Sequence, residues 1–132
     1  MARGRRTVSR MEKYWSAGPK TVTAGSSDIS SFQLDQGEVE AQVKRIMLSF
    51  GDTGSKLCTF QLGLFQKAPT TAGDFDEEST VISGAIGNQF AHNETITMRV
   101  PKDWYLGLRI VNNGASDSQL AYSLQLNYKV LN

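Results

Sequence analysis

The stretch AYSLQLNYKVLN, residues 121–132, carries the clearest fold signal in the sequence. Apolar and polar side chains alternate along it, and the apolar set is Tyr122, Leu124, Leu126, Tyr128 and Val130. A period of two residues puts one set on each face of an extended chain. The stretch therefore predicts a β-strand with one face against a hydrophobic core and the other face polar.

The same alternation occurs upstream, in LCTFQLGLFQ (57–66), ETITMRVP (94–101) and WYLGLRIVN (104–112). In the first of these, one predicted face holds Cys58, Phe60, Leu62 and Leu64, and the other holds Thr59, Gln61 and Gly63. Shorter candidates are KTVTA (20–24), ISSFQL (29–34) and STVISG (79–84), and turn residues separate the segments. These stretches predict a chain made mostly of short strands.

One stretch, EVEAQVKRIMLSF (38–50), fits two structures. Its apolar residues Val39, Val43, Ile46 and Phe50 have the spacing of a helix face. As a strand, the stretch alternates in one phase up to Val43 and in the opposite phase from Ile46. A one-residue bulge near Lys44 and Arg45 would restore the inward face. We favour the bulged strand, because the neighbouring segments are strands.

The fold class that follows is all-β: an antiparallel sandwich of about eight strands, jelly-roll-like, in one domain. A chain of 132 residues is long enough to bury a single core. Alternation assigns faces and not neighbours, so an immunoglobulin-like sandwich would leave nearly the same pattern.

Charge is unevenly distributed along the chain. Residues 1–20 hold six basic residues against Glu12, a net charge of +5, and the rest of the chain has a net charge of −4. The six are Arg3, Arg5, Arg6, Arg10, Lys13 and Lys20. Residues 1–19 lack strand or helix periodicity and end at the Gly18-Pro19 break. We therefore predict a flexible basic arm over 1–19, a β-domain over 20–132, and a polyanion bound by the six cations.

Two aromatic residues, Tyr14 and Trp15, interrupt the arm. They could pack on the domain, pack on a neighbouring subunit or stack on bases. In WYLGLRIVN, Trp104 shares its face with Leu106 and Leu108, which favours burial over a sugar-stacking platform.

Catalytic signatures are absent from the sequence. The chain has one histidine, His92, and one cysteine, Cys58, with no nucleophile motif around them. GDTGSK (51–56) lacks the spacing of a phosphate-binding loop. We expect no enzyme activity, no cofactor and no small-molecule substrate. No apolar run is long enough to span a bilayer or to act as a signal peptide, so we expect neither membrane insertion nor secretion by that route.

An acidic stretch, GDFDEES (73–79), gives weak metal candidates. Asp74, Asp76 and Glu78 alternate like the first ligands of an EF-hand loop, but Ser79 and Ala85 occupy the positions of its glycine and its final glutamate. A solvated acidic loop is the main interpretation. Calcium at a subunit interface and a salt contact with a neighbour are the alternatives.

Taken together, ARGRRTVSR (2–10), the break at AGPK (17–20) and strands such as WYLGLRIVNN (104–113) and AYSLQLNYKVLN form a familiar arrangement. It resembles the small single-jelly-roll coat proteins of icosahedral viruses. The resemblance implies a homo-oligomeric, self-assembling shell, with the arm facing packaged viral nucleic acid. Arg3, Arg5, Arg6 and Arg10 would contact that nucleic acid. It also implies a virion protein that is made in the host cytoplasm or nucleus.

The chain departs from that family in length and in arm charge. It is shorter than most such coats, and its arm carries few cations. A minor capsid protein, or a coat around little nucleic acid, is therefore an alternative. A second alternative is a β-sandwich module that binds a carbohydrate or a protein, such as a virion or phage appendage.

Overall fold

The computed structural model describes residues 8–34, 40–51, 57–76, 79–86 and 90–131. These residues form eight β-strands and a short 3₁₀ turn, Ala72–Asp74. The strands are β1 (Val8–Val22), β2 (Ser27–Gln33), β3 (Ala41–Gly51), β4 (Cys58–Phe65), β5 (Thr80–Ala85), β6 (Phe90–Val100), β7 (Tyr105–Asn112) and β8 (Ser118–Leu131). The predicted all-β class and strand number are confirmed.

The strands form two four-stranded antiparallel sheets. The first sheet has the order β1-β8-β3-β6, and the second has the order β2-β7-β4-β5. Among the described strands, each connection changes sheet except that from β4 to β5. This is the winding of a jelly roll, in which two Greek keys make a double sheet. An immunoglobulin-like sandwich joins consecutive strands differently, so the strand order decides between the two folds.

The core lies between the sheets, and β8 is central to it. β8 pairs with β1 on one side and with β3 on the other. Its alternate residues are buried as the pattern predicted, with Leu124 and Leu126 at 0% exposure. Burying a leucine side chain contributes about 1.5–3 kcal/mol. Because β8 pairs on both sides, this burial stabilises its pairing with β1 and with β3.

Strand β3 contains the predicted bulge. Its register shifts between Val43 and Arg45 against both β6 and β8. Val43 and Ile46 are both 0% exposed, which shows that the extra residue restores the inward face. As a consequence, two consecutive cations, Lys44 and Arg45, lie on the side of the sheet that faces away from the core.

Strand β1 corrects the prediction that residues 8–19 are irregular. It begins at Val8, opposite Leu131, and runs along the edge of the first sheet to Val22. The register shifts between Ala17 and Lys20, so Gly18-Pro19 is a bulge within the strand. An edge strand tolerates a proline there because the missing N–H would point away from the sheet. Residues 1–7 lie outside the described residues, and the flexible arm there stays a prediction.

Strand β4 is buried on both faces, which the sequence pattern did not predict. Cys58, Phe60 and Leu62 face the core as expected, whereas Gly63 and Phe65 are buried on the opposite face. Gly63 lies directly opposite Gly107 of β7. A Cβ added to Gly107 would lie 2.5 Å from Pro69 Cγ and 2.8 Å from the Phe65 ring. The two glycines therefore let the segment between β4 and β5 pack closely on the sheet.

Candidate functional site

The outer face of the first sheet, which is the face turned away from the core, is polar. β8 contributes Ser123, Gln125, Asn127 and Lys129, the residues that alternate with its buried positions. Ser49 of β3 and Ser123 share a hydrogen bond of 2.7 Å between their hydroxyl oxygens. These side chains are half-buried, so the face is an ordered surface on the central strands.

Three cations on this face surround a depression of about 580 Å³. They are Lys44, Arg45 and Lys129, which we call the basic cluster; Glu12, Thr95 and Asn127 also line the depression. The β3 bulge explains the cluster, because it turns two consecutive cations outward beside β8. Three ammonium or guanidinium groups against one carboxylate make the depression a site for an anion.

The predicted arm cations are divided by the structure. Arg10 lies opposite Lys129 in the register of β1 and β8, at the border of the basic cluster. Lys13 lies opposite the buried Leu126, on the core side of β1, and is half-buried. Arg3, Arg5 and Arg6 precede the described residues, and the side chain of Arg10 is not among the described ones.

Lys20 makes an ion pair within the domain. Its Nζ lies 2.8 Å from Asp28 Oδ2, and both side chains are partly buried. The pair joins β1 of the first sheet to β2 of the second. Its charge is therefore compensated by the protein itself.

The basic cluster was missed in the sequence. Local charge density pointed to the N-terminus, whereas Lys129 lies far along the chain from Lys44 and Arg45. The available signals were the phase change at Lys44-Arg45 and the outward position of Lys129 in the last strand. Pairing of β3 with β8, which alternation does not specify, brings them together.

The two aromatic residues of β1 face in opposite directions. Trp15 packs on Phe32 of β2, with ring centroids 4.8 Å apart. Tyr14 lies on the outer face and is 60% exposed. Beside it is a shallow groove of about 270 Å³, lined also by Met47, Ser49, Asn93, Ser123 and Gln125 among others. Trp104 is partly buried against the core, as its position in the alternating pattern favoured.

The acidic segment between β4 and β5 is held by its own carboxylates. Asp74 Oδ2 accepts hydrogen bonds from the N–H groups of Thr70 (2.9 Å) and Thr71 (3.0 Å). These bonds lower the pKa of the Asp74 carboxyl, because they favour its charged form. Asp76 Oδ1 accepts from the backbone N–H of Ser79 at 2.9 Å.

Metal binding by this segment stays a prediction. Glu78 lies outside the described residues, and within the described ones no cluster of histidine, cysteine, aspartate and glutamate is arranged to hold a metal ion. The geometry assigns Asp74 and Asp76 a structural role in the loop.

The described part of the chain contains no helix long and apolar enough to cross a membrane. Cys58 is a free thiol buried in the core.

No protein-family model matches the chain, and no curated protein matches it. Among solved structures, the chain is similar to the decameric BFDV capsid protein at 9% identity, covering 97% of this chain and 99% of that one, with a TM-score of 0.49. It is also similar to a pilus protein of Bacillus endospore appendages, at 12% identity, with coverages of 98% and 95% and a TM-score of 0.46. A third similar structure, the VP2 subviral particle of infectious bursal disease virus, has 14% identity and a TM-score of 0.39, with coverages of 97% and 33%.

Proposed function

We propose that the protein is a self-assembling coat subunit of a virion, whose jelly-roll domain tiles a closed shell around nucleic acid. The nucleic acid would lie against the outer face of the first sheet and the N-terminal arginines. The single observation that carries this proposal is the basic cluster on an otherwise polar sheet face, beside the strand into which the arginine-rich segment leads.

The position of β1 supports a continuous cationic surface. Val8 lies opposite Leu131, so β1 begins at the end of the sheet that carries Lys129 and Arg10. Arg3, Arg5 and Arg6 are two to five residues from Val8, within about 18 Å even for a fully extended chain. Guanidinium groups there and the basic cluster can thus contact neighbouring phosphates of one strand.

Charge distribution supports the same orientation. Residues 21–132 have a net charge of −4, yet the depression on the first sheet has three cations against one carboxylate. Concentrating positive charge on one face of an acidic domain directs a polyanion to that face. The acidic segment with Asp74 and Asp76 lies instead on the second sheet.

Light scattering after size exclusion at physiological salt tests the assembly. A closed shell of about 60 copies of the 14.5 kDa chain has a mass of about 0.9 MDa. A particle of that mass or more supports the proposal, and a stable 14.5 kDa monomer contradicts it. Deletion of residues 1–7, which spares β1, should lower the nucleic-acid content of the particles without preventing the fold.

The salt dependence of single-strand binding tests the interface. Seven cations, the four N-terminal arginines Arg3, Arg5, Arg6 and Arg10 and the three residues of the basic cluster, give an expected slope of log K against log salt of about −5. Lys129→Gln should reduce its magnitude by about 0.7. The matched control is Lys67→Gln, on an exposed lysine of the segment between β4 and β5, which should leave the slope unchanged. Equal effects of the two variants would count against the interface.

A further inference from the structure

The Tyr14 groove adjoins the basic cluster along β8. We define the groove by Tyr14, Met47, Ser49, Asn93, Ser123 and Gln125. Asn127 lines the basic depression and accepts a hydrogen bond from Gln125 Nε2 at 3.5 Å, so one pair of amides joins the two depressions. From Gln125 to Lys129 is four residues of strand, about 13 Å. The groove and the cluster form one continuous surface.

Tyr14 is unusual among the aromatic side chains of the described residues because it is 60% exposed. Its neighbour Trp15 packs into the sandwich, because successive residues of a strand face opposite sides of the sheet. The ring of Tyr14 is therefore left in solvent. A tyrosine presents a large flat face with a polar tip, which suits a partner that is partly apolar and partly wet. Around the ring are the amide and hydroxyl groups of Asn93, Ser123 and Gln125, which can donate to or accept from a polar ring edge.

A nucleobase meets these requirements, and its phosphates meet those of the basic cluster. Sequence-tolerant binders of single strands combine a cationic track for the backbone with aromatic faces for the bases. The outermost strands of the first sheet, β1 and β6, lie three strand spacings apart, about 14 Å, so this face is too wide to enter the major groove of a duplex, which is about 12 Å wide. In a duplex, the bases are also stacked on one another and hidden from Tyr14.

The geometry points to single-stranded nucleic acid as the occupant of this face, with a base stacked on Tyr14 and the adjoining phosphates on Lys44, Arg45 and Lys129. This inference rests on the proposed function and makes it more specific. Two separate interactions contribute to binding: the attraction of phosphates to the basic cluster and the stacking of a base on Tyr14. An anion without bases would bind through the first interaction alone.

The test compares Tyr14→Ala, Tyr14→Phe and Lys44→Gln/Lys129→Gln in the full chain. Fluorescence anisotropy measures the affinity for a labelled single-stranded oligothymidine of about 15 nucleotides. Competition by inorganic polyphosphate measures the charge term, since polyphosphate has the charge but no base. Tyr14→Ala should weaken oligothymidine binding by about tenfold and leave competition by polyphosphate unchanged, and Tyr14→Phe should bind like wild type. A circular dichroism spectrum like that of wild type shows that each variant is folded.

Four results would overturn the inference. If the Tyr14 ring stacks on a base, Tyr14→Ala must bind oligothymidine more weakly than wild type, so equal affinity refutes stacking. A change in particle mass with unchanged affinity would assign Tyr14 to a subunit contact. Equal affinity of wild type for the oligothymidine and for the same sequence in a duplex would refute the preference for a single strand. If Lys44→Gln/Lys129→Gln binds both probes like wild type, the basic cluster is not a nucleic-acid interface, and the proposed function fails together with the inference. If only Tyr14→Ala binds like wild type, the stacking fails and the proposed function stands.

Discussion

The outer faces of the two sheets differ in what covers them. On the second sheet, Phe65 lies over Gly63 and Gly107, and Phe75 packs on Phe65 with ring centroids 4.8 Å apart. On the first sheet, Tyr14 is 60% exposed beside the basic cluster. Within the described residues, the chain thus covers one face with its own β4–β5 segment and leaves the other face open. This contrast is in keeping with the proposed function, in which the first sheet holds nucleic acid on its outer face.

Truncating one aromatic residue on each face gives the largest expected contrast. Phe65→Ala removes a ring that is 8% exposed and supports Phe75, and should lower the free energy of unfolding by about 3–5 kcal/mol. Tyr14→Ala removes an exposed ring and should change it by about 0.5 kcal/mol or less. Urea unfolding at one protein concentration measures both. Equal losses would mean that the two faces do not differ as described.

A methyl group added at Gly107 probes how tightly the sealed face is packed. Gly107→Ala should destabilise the protein by about 1–3 kcal/mol, because its Cβ would lie 2.5 Å from Pro69 Cγ. The control is Gly73→Ala in the same segment, where the nearest atom to an added Cβ is Thr71 Oγ1 at 3.9 Å. It should be near neutral in urea unfolding. A tolerated Gly107→Ala would show that the segment rests on the sheet loosely.

The smallest expected effect is that of Asp74, whose carboxylate stabilises the segment between β4 and β5. Hydrogen bonds from Thr70 and Thr71 lower the pKa of Asp74 in the folded state. A lowered pKa stabilises the fold above the unfolded pKa, and the stabilisation is lost as pH falls through the folded pKa. Wild type should therefore exceed Asp74→Asn in stability at neutral pH, and the difference should shrink below about pH 4. A difference that stays constant across acidic pH would contradict this role.

The local alternation of apolar and polar residues was sufficient to predict the strands that have one buried face. β8 alternates along its whole central stretch, and the phase change at Lys44-Arg45 predicted the β3 bulge. β1 was missed because its core side includes Lys13, a charged residue in a position where a strand pattern needs an apolar one. An edge strand tolerates such a residue, since the long stem can lie along apolar surface while the charge reaches water.

Features that depend on non-local pairing were beyond the sequence pattern. The strand order, the covering of Gly63 by Phe65 and the meeting of Lys129 with Lys44 and Arg45 all require knowing which segments are neighbours. Alternation specifies a face but no partner. The binding role of the N-terminal arginines therefore stays a prediction, and the sequence pattern missed the cluster on the sheet.

The pairing of β1 with β8 also sets an order of events during synthesis. β1 is made first, yet its partner follows about a hundred residues later, and β8 must insert between β1 and β3. Such distant pairing forms late, because the intervening chain has to be closed first. A nascent chain therefore carries Lys44 and Arg45 before they have a sheet to be arranged on. The part of the proposed surface that β3 and β8 form together is therefore not assembled on the ribosome until β8 has emerged.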